Sequence, residues 1–252
     1  MRPALHAEWT KMRTVAGPLW LLLGTVAATV ALSTVATSVV NCTAGVCGGD
    51  TTRLSLTGVY IGQALVAILA VLIISGEYGS GMIRTTLTAV PRRATAFAAK
   101  AITLTGAVAL GGTLAVLGSV LAGRLVLPDL GDQALSLADG ATLRAVFGTV
   151  LYLILIGLLS LGIATAVRDS ATSIGIVLGL LYIVPILART ISDPDWQRLL
   201  ERIAPMSAGL AVQATTDLGG LPISPWAGLA VTAGWAAAAL MAGGLLLHIR
   251  DV

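Results

Sequence analysis

Six long apolar runs alternate with short polar connections along the chain, at about 18–40, 57–75, 101–127, 143–167, 171–191 and 225–247. Each is close to the about 20 residues needed to cross about 30 Å of hydrocarbon at about 1.5 Å per residue. The pattern predicts an all-α polytopic membrane protein with six transmembrane helices. Ahead of the first run, residues 1–16 place Leu5, Trp9, Met12 and Ala16 at helical spacing, with His6, Lys11 and Arg13 elsewhere on the wheel. This piece is too polar to span, and it predicts an amphipathic helix lying in the membrane interface. A secretory signal peptide is the rival reading; the 18–40 run is longer than a signal core of about 7–15 residues.

The polar connections carry the rest of the information. The longest interruption at the terminal side, 76–100, holds Glu77, Arg84, Arg92, Arg93 and Lys100, charges that belong outside the hydrocarbon. Between its glycines and Pro91, Met82 to Ala89 has room for about two helical turns, with an acid in front and bases behind to suit the helix dipole. The plainer alternative is a solvated loop that only sets topology. An even number of spans puts both ends on one side, and that side gathers nine of the fifteen basic residues, so both termini are expected in the cytoplasm. The surplus of bases behind the formal charge of +3 is scattered over short loops, which argues against nucleic acid.

On that topology Cys42 and Cys47 fall in the first external loop, where an oxidising compartment favours a disulfide over two free thiols. The external stretch 192–224 breaks into two helix-compatible pieces, Trp196 to Ile203 and Met206 to Thr216, separated by prolines and glycines. These predict short helices that cap or re-enter the outer leaflet. Pro185 should bend the fifth span near its outer end.

Composition narrows the chemistry. With 56% hydrophobic and 11% charged residues and a mean hydropathy of +0.93, an ordinary soluble fold is excluded and 1–252 reads as one membrane domain. The polar residues inside the spans, Gln63, Ser119, Ser160, Thr165 and Ser173, are mild, and no acid or base lies near a midplane, which disfavours an ion-coupled transporter. Gly175 and Gly179 form a GxxxG, with Gly157, Gly162, Gly111, Gly112, Gly243 and Gly244 offering further close approaches, either within one chain or at a dimer face. No GxxxxGK[ST] phosphate loop occurs, His6 and His248 lack metal-ligand partners, and Ser80 has no nucleophile context. The chain is therefore expected not to be an enzyme by itself, with no metal and no cofactor of its own.

Glu8, Trp9, Thr10 and Lys11 ahead of the first span, then Glu77, Tyr78, Gly81, Met82, Ile83, Arg84, Thr85, Thr86, Leu87, Pro91, Arg92, Arg93 and Lys100 after the second, form a recognisable order. With the six spans, and with Trp196 and Pro205 before the last, the chain resembles the ABC type-2 transporter permease family. It departs from the family pattern at Met82, where Thr is commoner, and at Arg92, which follows Pro91 directly.

The resemblance implies a permease subunit of an ATP-driven exporter, working as a pair of permeases, here as a homodimer, with two copies of a separate ATPase that binds ATP and Mg. In such permeases the loop after the second span is a coupling helix seated on the ATPase. That role falls here on Glu77, Tyr78, Gly81, Met82, Ile83, Arg84, Thr85 and Leu87, with Arg168 and Asp169 as a second, smaller contact. The elbow helix would use Leu5, Glu8, Trp9, Lys11, Met12 and Arg13. A path lined by the first, second and fifth spans would offer Trp20, Thr25, Thr29, Ser33, Tyr60, Gln63, Ile176, Leu180 and Tyr182, an apolar wall suited to a drug, antibiotic, peptide or lipid. The alternative is a non-transporting membrane component, for immunity, sensing or assembly, driven by a partner ATPase. A bacterial-type plasma membrane is the expected location.

Overall fold

Hydrocarbon supplies no water to satisfy a backbone amide, so a chain this apolar must close its hydrogen bonds inside helices. The computed structural model, which describes residues 2–39, 50–79, 82, 93–126 and 139–249, does so with helix alone; no strand occurs among the described residues. Helix α1 (Arg2–Thr14) passes through Val15 into α2 (Ala16–Ser38), followed by short α3 (Thr51–Ser55), α4 (Val59–Gly79), α5 (Arg93–Val126) and α6 (Gly140–Val167). The fifth crossing is built from α7 (Ser170–Leu178), a π-turn over Gly179–Ile183, and α8 (Val184–Thr190). Helices α9 (Pro194–Ile203), α10 (Pro205–Leu210) and α11 (Pro225–Ile249) complete the described chain. Among these residues, six helical crossings are long and apolar enough for a bilayer, and they coincide with the six apolar runs.

Two boundaries differ from the hydropathy pattern. Helix α5 starts at Arg93, eight residues ahead of the apolar run, so it continues about 12 Å beyond the hydrophobic stretch. Hydropathy marks where apolar residues begin, whereas Ala94, Ala96, Ala98 and Ala99 keep the helix going without them. Helix α3 was not foreseen; its N-cap is Asp50, whose carboxylate accepts from the Arg53 amide at 3.0 Å.

Helix α6 stands at the centre, packed against α11, α4, α5 and α7. Its Tyr152, Leu153, Ile156, Leu159 and Leu161 are fully buried. Three hydroxyls of α6 return to their own helix: Thr149 donates to Ala145 O at 2.6 Å, Ser160 to Ile156 O at 2.7 Å and Thr165 to Leu161 O at 2.7 Å. Small residues allow α6 and α11 to touch backbone to backbone, since a Cβ on Gly162 would stand 2.4 Å from the Ala239 carbonyl carbon. The GxxxG of α7 does nothing of the kind within the chain: Gly175 faces open space and Gly179 meets only Ile183 of its own crossing.

The segment after α8 divides as its composition suggests. Helix α9 is capped by Asp193, which accepts from the Asp195 amide at 2.9 Å, and it leaves Trp196, Leu199 and Ile203 exposed. Helix α10 is buried except at half-buried Ser207 and leans on α11, where Thr232 donates to the Pro205 carbonyl at 3.1 Å. The second predicted piece is thus shorter than 206–216, ending at Leu210 with a 3-10 turn over Ala211–Gln213. Beyond it, Thr215 and Thr216 donate their amides to Asp50, which ties this segment to α3. Burial works to raise the Asp50 pKa, but the hydrogen bonds from Arg53, Thr215 and Thr216 prevail and hold it below the ordinary 3.8.

Pro185 acts where the sequence placed it. Its ring excludes the carbonyl four residues back, and the chain answers with one wide turn in which Val184 N reaches Gly179 O.

A Cβ on Gly228 would lie 2.0 Å from the carbonyl oxygen of Ala208, a backbone atom that has no rotamer to give. Gly228→Ala is expected to cost about 1–3 kcal/mol through overpacking of α10 against α11. Gly175→Ala, inside a helix and facing open space, is the matched control and should not lower the melting temperature of the detergent-solubilised protein.

Candidate functional site: a buried ion quartet at the elbow

Helix α1 turns Ala4, Glu8 and Met12 inward, one residue per turn on the face that packs on α5. The stripe expected from the sequence is therefore rotated: Met12 is buried, Leu5 is half-buried, Trp9 is 40% exposed, and Arg13 is exposed on the outer face. The reason is that an acid, not an apolar residue, occupies the middle of the inward face.

Glu8 is admitted there because it meets a cation. Lys100 Nζ, its side chain only 2% exposed, lies 3.0 Å from both Glu8 carboxylate oxygens and 2.5 Å from Glu77 Oε1. Lys11 Nζ stands 2.8 Å from the same Glu77 oxygen and 3.4 Å from Glu8 Oε1. The three protons of the Lys100 ammonium are all matched to carboxylate oxygens. Two cations and two anions leave the quartet neutral, which makes burial tolerable where one lone ion would cost several kcal/mol. Burial pulls the Lys11 pKa down, but the hydrogen bond to Glu77 and the charges of Glu8 and Glu77 more than offset it, so the value rises above 10.5.

The arrangement joins three elements. Glu77 sits at the end of α4 and Lys100 in the early part of α5, so the connection between these helices is held at both ends, and α1 bridges the two. A second set of tethers works beside it. Arg168 caps α6 in the left-handed region, φ 66°, and stacks 5.4 Å above the centre of the Tyr78 ring while reaching Leu246 O at 3.4 Å. Arg93 donates to Leu247 O at 2.8 Å. Asp169 caps α7, accepting from the amide and hydroxyl of Thr172 at 2.8 and 2.6 Å, bonds that hold its carboxyl below 3.8. These contacts gather the ends of α4, α5, α6 and α11 on one face of the bundle.

Of the coupling residues expected from the sequence, Glu77 and Tyr78 belong to this assembly, and Met82 is exposed. Gly81, Ile83, Arg84, Thr85 and Leu87 lie outside the described residues, as do Cys42 and Cys47. The expected path residues do not share one surface. Thr25, Thr29, Ser33 and Gln63 are fully buried inside the chain. Thr29 and Ser33 face glycines of the next crossing: a Cβ on Gly58 would strike Thr29 O at 1.8 Å, and the Gly58 amide donates to Ser33 Oγ at 3.0 Å. Gln63 accepts from the Tyr152 hydroxyl, and Tyr182 donates to the Tyr60 carbonyl. Small hydroxyls opposite glycines bring α2 and α4 into contact, so within the chain these residues pack helices. Tyr60, Leu180 and Tyr182 are half-buried, leaving Trp20 and Ile176 exposed.

Spacing along the chain did not reveal that these four charges associate. A signal was present: Lys11 and Lys100 are the chain's only two lysines, and Glu8 and Glu77 are two of its three glutamates. No group of three or more His, Cys, Asp or Glu side chains fit to hold a metal occurs among the described residues. In comparisons with known proteins, no family model matches the chain and no curated protein matches it.

Removing Lys100 strands two carboxylates. Lys100→Met is expected to destabilise the protein by about 3–5 kcal/mol, and adding Glu8→Gln to restore much of that, read as a double-mutant cycle of melting temperatures. Because the Lys11 pKa is raised, its contribution is complete below 10.5 and is lost as pH climbs through the higher folded value. The melting temperature should hold from about pH 7 to 10 and then fall, and Lys11→Met should abolish the part of the fall that this ammonium causes.

Proposed function

We propose that the protein is the membrane permease subunit of an ABC-type exporter, moving a hydrophobic or amphiphilic substrate while a separate ATPase, binding ATP and Mg, supplies the energy. The observation that supports this best is the quartet itself. A connection whose two ends are bound to each other and to an interfacial helix cannot yield separately at either end. Force applied to such a connection passes into α4, α5 and α1 together, as packed elements with discrete arrangements move. The order of elements supports the same reading: an elbow helix, six crossings and a broken segment before the last.

On this reading two permease copies meet two ATPase copies, the face carrying the quartet is cytoplasmic, and Glu77 to Leu87 seats on the ATPase with Arg168 and Asp169 as a smaller second contact. The exposed Trp20 and Ile176 are apolar, as a wall for a greasy cargo would be.

The test spares the quartet. Arg84→Glu, in the connection, should abolish copurification with the ATPase and ATP-dependent efflux from reconstituted vesicles, while folding is kept. An unchanged complex with unchanged efflux would refute the proposal, and ATP hydrolysis by the intact complex without substrate movement would replace export with signalling.

A further inference from the structure

The two halves of the fifth crossing are held very differently. The first half, α7, packs on α4 and α6 and buries Ser173 and Val177. The second half, α8, packs against the π-turn before it and α9 after it, and of its seven residues only Ala188 is buried. Both of its ends are joints. At the near end Pro185 offers no amide to the Leu181 carbonyl, and the Val184 amide reaches five residues back to Gly179 O. At the far end the helix stops at Ile191, which is extended at φ −78° and ψ 124°. Beyond that link α9 is moored to the bundle again, since Trp235 Nε1 donates to Ile203 O at 2.8 Å and Arg202 Nε to Pro222 O at 2.7 Å.

One side chain of the π-turn bridges to the core. The Tyr182 hydroxyl donates to the Tyr60 carbonyl of α4. The receiving side is firm: Gln63, about one turn further along α4, is fully buried and accepts from the equally buried Tyr152 of α6, so α4 and α6 are bound together at this level. We infer that α8 is a hinged strut and Tyr182 its latch. With the bond made, the π-turn is fixed to α4 and α8 lies against the bundle around Ala188. With it broken, α8 pivots between the π-turn and the Ile191 link while α7 and α9 stay in place. A half-buried hydroxyl in an apolar bundle loses an acceptor on release, so the bond favours the closed position about tenfold. Two settings of one turn, with the packed elements on either side unmoved, make this a discrete switch. The strut and its latch need no ATPase, and they stand whether or not the chain exports anything.

The full chain, with Cys42 and Cys47 replaced by serine, is spin-labelled in pairs and reconstituted in vesicles with excess unlabelled protein, so that electron spin resonance reads only distances within one chain. One pair, Leu121→Cys with Leu187→Cys, runs from α5 to the strut; the other, Leu121→Cys with Ile176→Cys, stops short of the hinge, and all three positions are exposed. Tyr182→Phe is expected to raise the share of a second Leu121 to Leu187 distance about tenfold, as the loss of one hydrogen bond allows, with the Leu121 to Ile176 distance unchanged. Adding Pro185→Ala lets the regular ladder re-form and should return the strut to a single distance. Tyr60→Phe, which keeps the carbonyl that the latch uses, should move neither pair. An unchanged strut distance in Tyr182→Phe overturns the latch. Equal broadening of both pairs overturns the hinge, because the crossing then loosens as a whole, and a second distance that persists with Pro185→Ala overturns the part assigned to the π-turn.

Discussion

An ammonium enclosed by two carboxylates sets the terms for one whole face of this protein. Lys100 is more deeply enclosed than either acid, and it belongs to a crossing helix and not to a loop. In a low dielectric an ion keeps its charge only where its partners are held ready, so the positions of α1, α4 and α5 are mutually dependent. Lysine suits this role better than arginine: a compact ammonium with three donors fits oxygens arriving from separate directions, whereas a planar fork fits one carboxylate edge-on. The outer member, Lys11, remains partly in water, so the quartet grades from dry to wet along its length.

Elsewhere the bundle is held by closeness instead of charge. The hydrophobic effect cannot pull helices together when lipid tails are as apolar as leucine, and the close contacts accordingly fall on small residues. Gly58 and Gly62 close on Thr29, Gly162 on Ala239, Gly228 on Ala208, and Gly209 on Tyr152. At the face opposite the quartet, Asp50 serves as helix cap and as acceptor for Thr215 and Thr216, so one carboxylate organises two segments far apart in sequence.

The crossings were legible because length and apolarity alone decide them, and the broken segment because Pro194, Pro205 and Gly219 interrupt it visibly. Which side of each helix faces inward was not legible. Thr29 and Ser33 look like polar punctuation along a span until Gly58 and Gly62 are seen opposite them, and that pairing depends on the relative rotation of two helices. Glu8 was hidden for the same reason: an amphipathic wheel sorts acids to the water side, and a partner 92 residues away overrules it. Hydropathy likewise could not see that α5 begins at Arg93, since alanine-rich polar sequence continues a helix as well as leucine does.

The π-turn in the fifth crossing holds one residue more than a regular turn would. Each residue advances an α-helix by about 100°, so Ser173, Val177, Leu181 and Ala188 fall within about 80° of one another and face inward together. Ile183, Ile186 and Leu187 are exposed on the other side. Pro185 thus loosens one turn without breaking the buried face, and the crossing keeps a single inward side across its widest point.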